Sequence, residues 1–276
     1  MISIKDITLG QFAPRESFVH SLDPRTKIIL CFLLITSVLF IQNILVMLAG
    51  GGLVLLIYSL AKINPGIALK NFRPFLWLFL FTFLLHCFFT PGTPLIRLPF
   101  FGLEISETGV FFGIFYSFRI VVFIVIANLL TLCTPPLELT DAIEALLKPF
   151  KRIGVPAHEI AMMMSIALRF IPILLDEADR IYKAQISRGA IIEGNIFQKL
   201  KGTIPIILPL FLSAFRKANE LALAMDSRCY RGGVGRTSFH ILRFGKNDGI
   251  AFGITALACC MILIQRYVFP IQFLNI

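Results

Sequence analysis

The sequence predicts an all-α integral membrane protein, with about five transmembrane helices and a charged cytoplasmic domain built on two long helices. Three observations predict it. Of the 276 residues, 57% are apolar and only 15% charged, and mean hydropathy is +0.83, whereas a soluble domain carries about a quarter charged residues. Several apolar runs approach the roughly 20 residues that a membrane helix needs. The charges are segregated: residues 136 to 248 hold 16 of the 26 Lys/Arg and 11 of the 16 Asp/Glu. Residues 1–135 are thus read as an N-terminal segment with four spans, 136–248 as the charged domain, and 249–276 as a last span.

The first apolar run goes from Lys27 to Ile41 and the second from Ile44 to Ala61, the latter with Gly50-Gly51-Gly52 inside it. Such small residues let membrane helices approach closely. Asn64-Pro65-Gly66 marks a turn. A third run covers Pro74 to Thr90. Pro91-Gly92-Thr93-Pro94 then breaks the chain, and residues 95 to 105 suit a short hairpin or an interfacial segment. A fourth run spans Gly109 to Cys133 and a fifth Gly249 to Ile264, extending toward Phe269.

Basic residues set the orientation. Lys5, Arg15, Arg25 and Lys27 precede the first span, and Lys62, Lys70 and Arg73 lie between the second and third. The short loops of the other side carry only Arg97, so the N-terminus and the charged domain are expected to be cytoplasmic. Arg119 falls inside the fourth run, where a charge must face protein or a wet cavity; a packing role, or a span that starts later in the run, is favoured over a transport path.

Within the charged domain, Leu139 to Phe150 reads as a short amphipathic helix with Thr140 as N-cap, ended by Pro149 and Gly154-Val155-Pro156. Two long helices follow. The first covers about Ala157 to Ile186, on the order of 45 Å, with a kink expected at Pro172. The second runs from about Thr203 to Asp226, with Pro205 and Pro209 near its start. Both begin apolar, at Met162-Met163-Met164 and at Ile204 to Phe215, and end charged. Their ends repeat at an offset of 40: Ala178, Ala184, Ser187 and Arg188 match Ala218, Ala224, Ser227 and Arg228.

Arg at a helix C-terminus suits the macrodipole, which accounts for either copy alone. Two copies on two helices indicate two similar receiving sites. A guanidinium offers a rigid fork of donors to a carboxylate, small neighbours let the helix end enter a groove, and Arg anchors are typical of interface centres. Gly189 follows the first Ser-Arg as a helix stop; the second is followed by Cys229-Tyr230-Arg231-Gly232-Gly233.

With these residues in view, the chain resembles the T component, the transmembrane coupling subunit (EcfT/CbiQ-like), of energy-coupling-factor vitamin transporters of the ABC class. Members carry two Ala-Arg-Gly-like motifs at the ends of two long cytoplasmic coupling helices. Here the first reads Ser187-Arg188-Gly189 and the second Ser227-Arg228-Cys229 within Ala224 to Gly233, followed by Gly235-Arg236-Thr237. The opening, Leu9-Gly10-Gln11 to Ser21-Leu22-Asp23-Pro24-Arg25-Thr26-Lys27, is similar to the family's opening too. Ser replaces Ala in both motifs, and Cys229 stands where the short motif has Gly.

The resemblance implies a non-catalytic subunit in the cell membrane. Arg188 and Arg228 would each engage one of two ABC ATPase subunits, a homo- or heterodimer that binds the ATP and Mg2+. The membrane part would hold one substrate-binding S component for vitamin or metal-ion uptake, with Met162, Met163 and Met164 read equally as adaptable contacts for it and as ordinary packing against the spans. No cofactor is expected on this chain. It has no G-x-x-x-x-G-K-[ST] phosphate loop; Gly232 to Thr237 is read as a basic loop rather than a phosphate nest.

Other readings are weaker. Asp176-Glu177-Ala178-Asp179-Arg180 is superficially like the acidic magnesium site of a prenyl or lipid-phosphate transferase. Such chemistry needs several converging carboxylates, and no second acidic cluster appears; Asp176 and Asp179 read as a solvated face near Arg180 and Lys183. A secondary transporter would show symmetric membrane halves, and a nucleic-acid binder an aromatic stacking platform. Cys31, Cys87, Cys133, Cys259 and Cys260 sit in apolar runs as small hydrophobes, with no metal-ligand spacing among cysteines and histidines. No secretory signal pattern is read in residues 1 to 25.

Overall fold

The computed structural model describes residues 15–98, 103–190, 196–232 and 242–268. By their contacts these divide into two units, Pro136–Ile241 and Gln11–Pro135 together with Leu242–Ile276.

In the second of these units, α-helices 1, 2, 3 and 5 in chain order begin where a polar side chain satisfies a free N–H group of the first turn. Asp23 starts α1 (Pro24–Leu39), its Oδ1 accepting from Arg25 N–H at 2.9 Å. Asn43 caps α2 (Ile44–Leu60), and Asn64 caps α3 (Pro65–Phe72), by bonds to Leu45 N–H and Gly66 N–H. A 3-10 turn at Arg73–Phe75 leads into α4 (Leu76–Phe89). Strand β1 (Pro94–Leu98) then pairs antiparallel with β2 (Leu103–Ser106), forming the hairpin for which the sequence has room. Ser106 caps α5 (Glu107–Cys133), accepting from Gly109 N–H at 2.9 Å and donating to Thr90 O at 2.6 Å. The last helix of the unit is α9 (Lys246–Val268).

Helix α5 is the axis on which α1 to α4 pack, and α9 packs on α1. Its Phe115, Val122, Val125 and Ile126 are buried with Leu34 and Val38 of α1 and Met47 and Val54 of α2. Gly51 is the one of the three adjacent glycines that seats against α5, where an added Cβ would stand 2.9 Å from the Phe118 ring. Against α4 the approach is closer. A Cβ at Gly109 would stand 2.5 Å from His86 O, a backbone atom that cannot yield, so the close crossing of α4 and α5 requires glycine there. Side-chain bonds fix the register: Ser117 Oγ donates to Phe79 O at 3.3 Å, and Asn71 Nδ2 to Asn128 Oδ1 at 3.0 Å.

Two buried charges tie the helix ends of this unit together. Lys27 donates to His20 O at 2.9 Å and to Cys133 O at 3.2 Å, joining the start of α1 to the end of α5. Asp248 accepts from Gly245 N–H at 2.7 Å, closing the first turn of α9, and from Asp23 N–H at 2.9 Å, joining α9 to α1. The outward faces remain apolar: Leu45, Leu55, Trp77 and Phe89 are each at least 65% exposed. Faces so apolar and so large suit lipid, not water.

Among the described residues, Lys70–Phe89, Glu107–Cys133 and Ala157–Ser187 are long and apolar enough to cross a membrane, and Ile44–Leu60 is a shorter apolar helix. The protein is thus an all-α, multi-pass membrane protein, with one small hairpin among the described residues.

Among the described residues of the unit from Pro136 to Ile241, three α-helices carry the structure. The first, α6 (Pro136–Leu147), begins three residues earlier than the sequence suggests. Thr140 is therefore not an N-cap: it lies buried inside the helix and donates to Leu137 O at 2.6 Å. The reason is Pro136, whose fixed φ favours a helix start and whose missing N–H costs nothing there. A 3-10 segment over Lys148–Ile153 carries the chain through Pro149, and Gly154 ends it at φ 91°. Helix α7 (Ala157–Ser187) is joined to α6 by His158 Nδ1 and Glu144 Oε1 at 2.8 Å and by Thr140 and Ser165 hydroxyls at 3.3 Å. Pro172 lies within its continuous helical span. Helix α8 (Ile196–Ser227) starts seven residues before Thr203, which places Pro205 and Pro209 well inside it. Gln198, Lys199, Leu200 and Lys201 are good helix formers and extend the helix backward.

Candidate functional site: the paired helix ends

Helices α7 and α8 stop in the same way. At the end of α7, Gly189 takes the left-handed conformation (φ 82°), its N–H bonds to Ile186 O at 2.9 Å, and Ala190 N–H bonds to Gln185 O at 3.0 Å. At the end of α8, Cys229 takes that conformation (φ 56°), its N–H bonds to Asp226 O at 2.9 Å, and Tyr230 N–H bonds to Met225 O at 3.1 Å. Both are Schellman stops, in which two late carbonyls are satisfied by a turn through a left-handed residue. Glycine reaches that conformation freely; a residue with a Cβ pays roughly 1–2 kcal/mol for it. Cys229 therefore keeps the geometry of its glycine counterpart at a local energetic cost.

The side chains repeat in part, the first serine bonding four residues back and the second three. Ser187 Oγ donates to Lys183 O and Ser227 Oγ to Ala224 O, each at 3.0 Å, so both serines bond into their own helices. Exposure repeats residue for residue from 183–190 to 223–230, and Arg188 and Arg228 are exposed at both tips. Neither guanidinium has an ion pair or hydrogen bond among the described residues. Each tip presents a forked cation with small neighbours, Ala184 with Ser187 and Ala224 with Ser227. Ten residues before the two serines, Glu177 and Lys217 face each other with Oε2 and Nζ 4.0 Å apart. These positions are also related by the offset of 40, so α7 and α8 meet at equivalent heights.

The other predicted features fall as follows. Met163 is 58% exposed, with Met162 and Met164 half-buried beside it on α7. On α8, Ile204, Ile207, Leu208, Phe211, Leu212 and Phe215 are all exposed, spaced as a single helix face. Of the acidic cluster on α7, Asp179 pairs with Lys183 at 2.5 Å and Glu177 faces Lys217. No three His, Cys, Asp or Glu side chains converge as metal ligands among the described residues. Leu9, Gly10 and Gln11 of the opening and Gly233 to Thr237 of the second motif lie outside the described residues.

Arg119 has a packing role. Its guanidinium donates to Ile41 O, in the turn between α1 and α2, and lies over the rings of Phe115 and Tyr116 at 4.8 and 5.0 Å. Ile41 is fully buried. A turn inside an apolar core leaves carbonyls that lipid cannot satisfy, and Arg119 supplies the donor.

Fold and helix ends together define a class: a multi-pass helical membrane protein with two long helices that end in matched stops. Residues 15–241 match the family described as cobalt transport protein, CbiQ. The chain is 45% identical over 258 residues to the energy-coupling factor transporter transmembrane protein EcfT of Thermanaerovibrio acidaminovorans, covering 93% of this chain and 95% of that one. It is 46% identical over 261 residues to EcfT of Acidaminococcus fermentans (94% and 96% covered). It is 41% identical over 260 residues to EcfT of Bacillus subtilis (93% and 97%). The chain belongs to the CbiQ family, among the energy-coupling factor transporter transmembrane proteins.

Proposed function

We propose that this chain is the non-catalytic coupling subunit of an ABC-type importer. Two ATPase subunits bind and hydrolyse ATP with Mg2+ on the cytoplasmic side. Arg188 and Arg228 anchor one ATPase each, supported at the tips by Ser187 with Gly189 and by Ser227 with Cys229. Closure of the ATPases moves the two tips, and α7 and α8 act as levers on a membrane substrate-binding S component that carries the vitamin or metal ion. Met162, Met163, Met164 and the exposed face of α8 supply adaptable apolar contact for that component. The single observation that carries this reading is the pair of matching helix stops, each presenting an exposed Arg. One such tip is ordinary; two tips alike in backbone, exposure and charge fit a partner with two related halves.

The test is co-purification and ATP-driven uptake with candidate ATPase and S subunits, for wild type, Arg188→Glu, Arg228→Glu and the double variant. Each single reversal is expected to weaken assembly at least tenfold, as the loss of a charged anchor does, and the double variant to abolish it while the chain remains folded in the membrane. Unchanged assembly and uptake in the double variant would overturn the reading. Loss of activity in Asp176→Asn with Asp179→Asn, with assembly intact, would instead point to a membrane transferase.

A further inference from the structure

The two tips have one backbone and different chemistry. Two residues before each Arg, α7 carries Ile186, 42% exposed, and α8 carries Asp226, also exposed. At 3.6 residues per turn, positions two apart lie about 200° around the helix. In a tip seated in a groove, the Arg therefore meets one wall, and Ile186 or Asp226 meets the opposite wall. Exposed Ile gains by meeting an apolar wall; Asp loses there unless a cation or N–H donor receives it. A wall that suits one tip is wrong for the other, and specificity by such mismatch is as effective as specificity by attraction. The stop residues differ likewise: Gly189 adds nothing beyond the backbone, whereas Cys229 projects a side chain from the left-handed position.

We infer that Ile186 and Asp226 are specificity-determining residues that assign each helix end to one receiving groove, an apolar-walled groove for α7 and a groove with a cationic wall for α8. This rests on the docking reading proposed for Arg188 and Arg228. It makes the two ends non-interchangeable although their stops, serines and arginines match. Because the repeat places the tips at equivalent distances beyond Glu177 and Lys217, exchanging the two residues exchanges the address of each end.

The experiment uses the full chain expressed with its ATPase subunits, with a photo-crosslinking residue at Lys183 or at Leu223, exposed positions that the repeat relates. In wild type the two positions are expected to label different ATPase grooves, resolved by mass spectrometry of the cross-linked peptides. Ile186→Asp and Asp226→Ile are each expected to weaken assembly about tenfold. The exchange variant Ile186→Asp with Asp226→Ile is expected to regain assembly to within about threefold, with the cross-links of the two ends exchanged. Neutral single variants, additive loss in the exchange variant, or the same groove peptide at both positions would overturn the inference. If Arg188→Glu and Arg228→Glu break the complex while these variants do not, only the assignment of ends fails. If the Arg reversals are silent, the docking reading fails.

Discussion

Glu177 of α7 and Lys217 of α8 occupy the same place in the forty-residue repeat, and they face each other, Oε2 to Nζ, at 4.0 Å. The contact joins equivalent positions of the two copies of the repeat. It leaves ten residues of helix, about 15 Å, between the meeting point and each serine. Two helix ends of equal length extend beyond one ion pair at the matched height, and both end in the same hydrogen-bonded stop.

That relation predicts how charge reversal behaves. Glu177→Lys alone, or Lys217→Glu alone, places like charges together and is expected to cost on the order of 0.5–1 kcal/mol, the range of partly exposed pairs. The exchange Glu177→Lys with Lys217→Glu is expected to recover most of it. Thermal unfolding of the detergent-purified chain measures the stability, and the rate of ATP-driven uptake measures whether the crossing transmits motion. Additive losses in the exchanged pair would show that the two side chains do not interact.

Gly189 and Cys229 give the second prediction. Cys229→Gly removes the Cβ from a left-handed position and is expected to stabilise the end of α8 by about 1 kcal/mol. Gly189→Ala is expected to destabilise the end of α7 by a similar amount. Amide hydrogen exchange of Cys229 and Tyr230, and of Gly189 and Ala190, reads the effect at each stop, because their N–H groups close it. Faster exchange at Tyr230 in Cys229→Gly would contradict the strain argument.

Arg119 provides the third. Arg119→Met keeps length and apolar contact but removes the donor to Ile41 O, and is expected to lower stability by about 2–3 kcal/mol, as for a buried bond to a charged group. Arg119→Lys should recover part of that, since a point charge lacks the planar fork that lies over Phe115 and Tyr116. Uptake per folded molecule is expected to stay near wild type. Uptake abolished at unchanged melting temperature would return Arg119 to a transport path.

How much of this was legible in the sequence depends on the range of the forces involved. Apolar runs and their Pro, Asn and Gly boundaries are local signals, and α1, α2, α4, α5 and α9 lie where those signals put them. The repeat is legible because each copy is a contiguous pattern. Boundaries set by weak competition were less legible. Thr140 has the chemistry of a cap, yet Pro136 starts the helix earlier, and Pro205 and Pro209 look like an opening although residues 196–202 continue the helix behind them.

By itself, the sequence determined that the chain lives in a membrane, that its charges gather in one unit, and that two helices end in matched Ser-Arg pairs. These depend on composition and period, which need no neighbour. Only the tertiary structure decided that Arg119 serves the α1–α2 turn, that Asp248 joins α9 to α1, that Glu177 meets Lys217, and that Cys229 adopts a glycine's conformation. Each of those depends on which backbone groups and charges are brought within a few ångströms across the chain, and hydrogen-bond and Coulomb energies are set by that distance and by the burial around it.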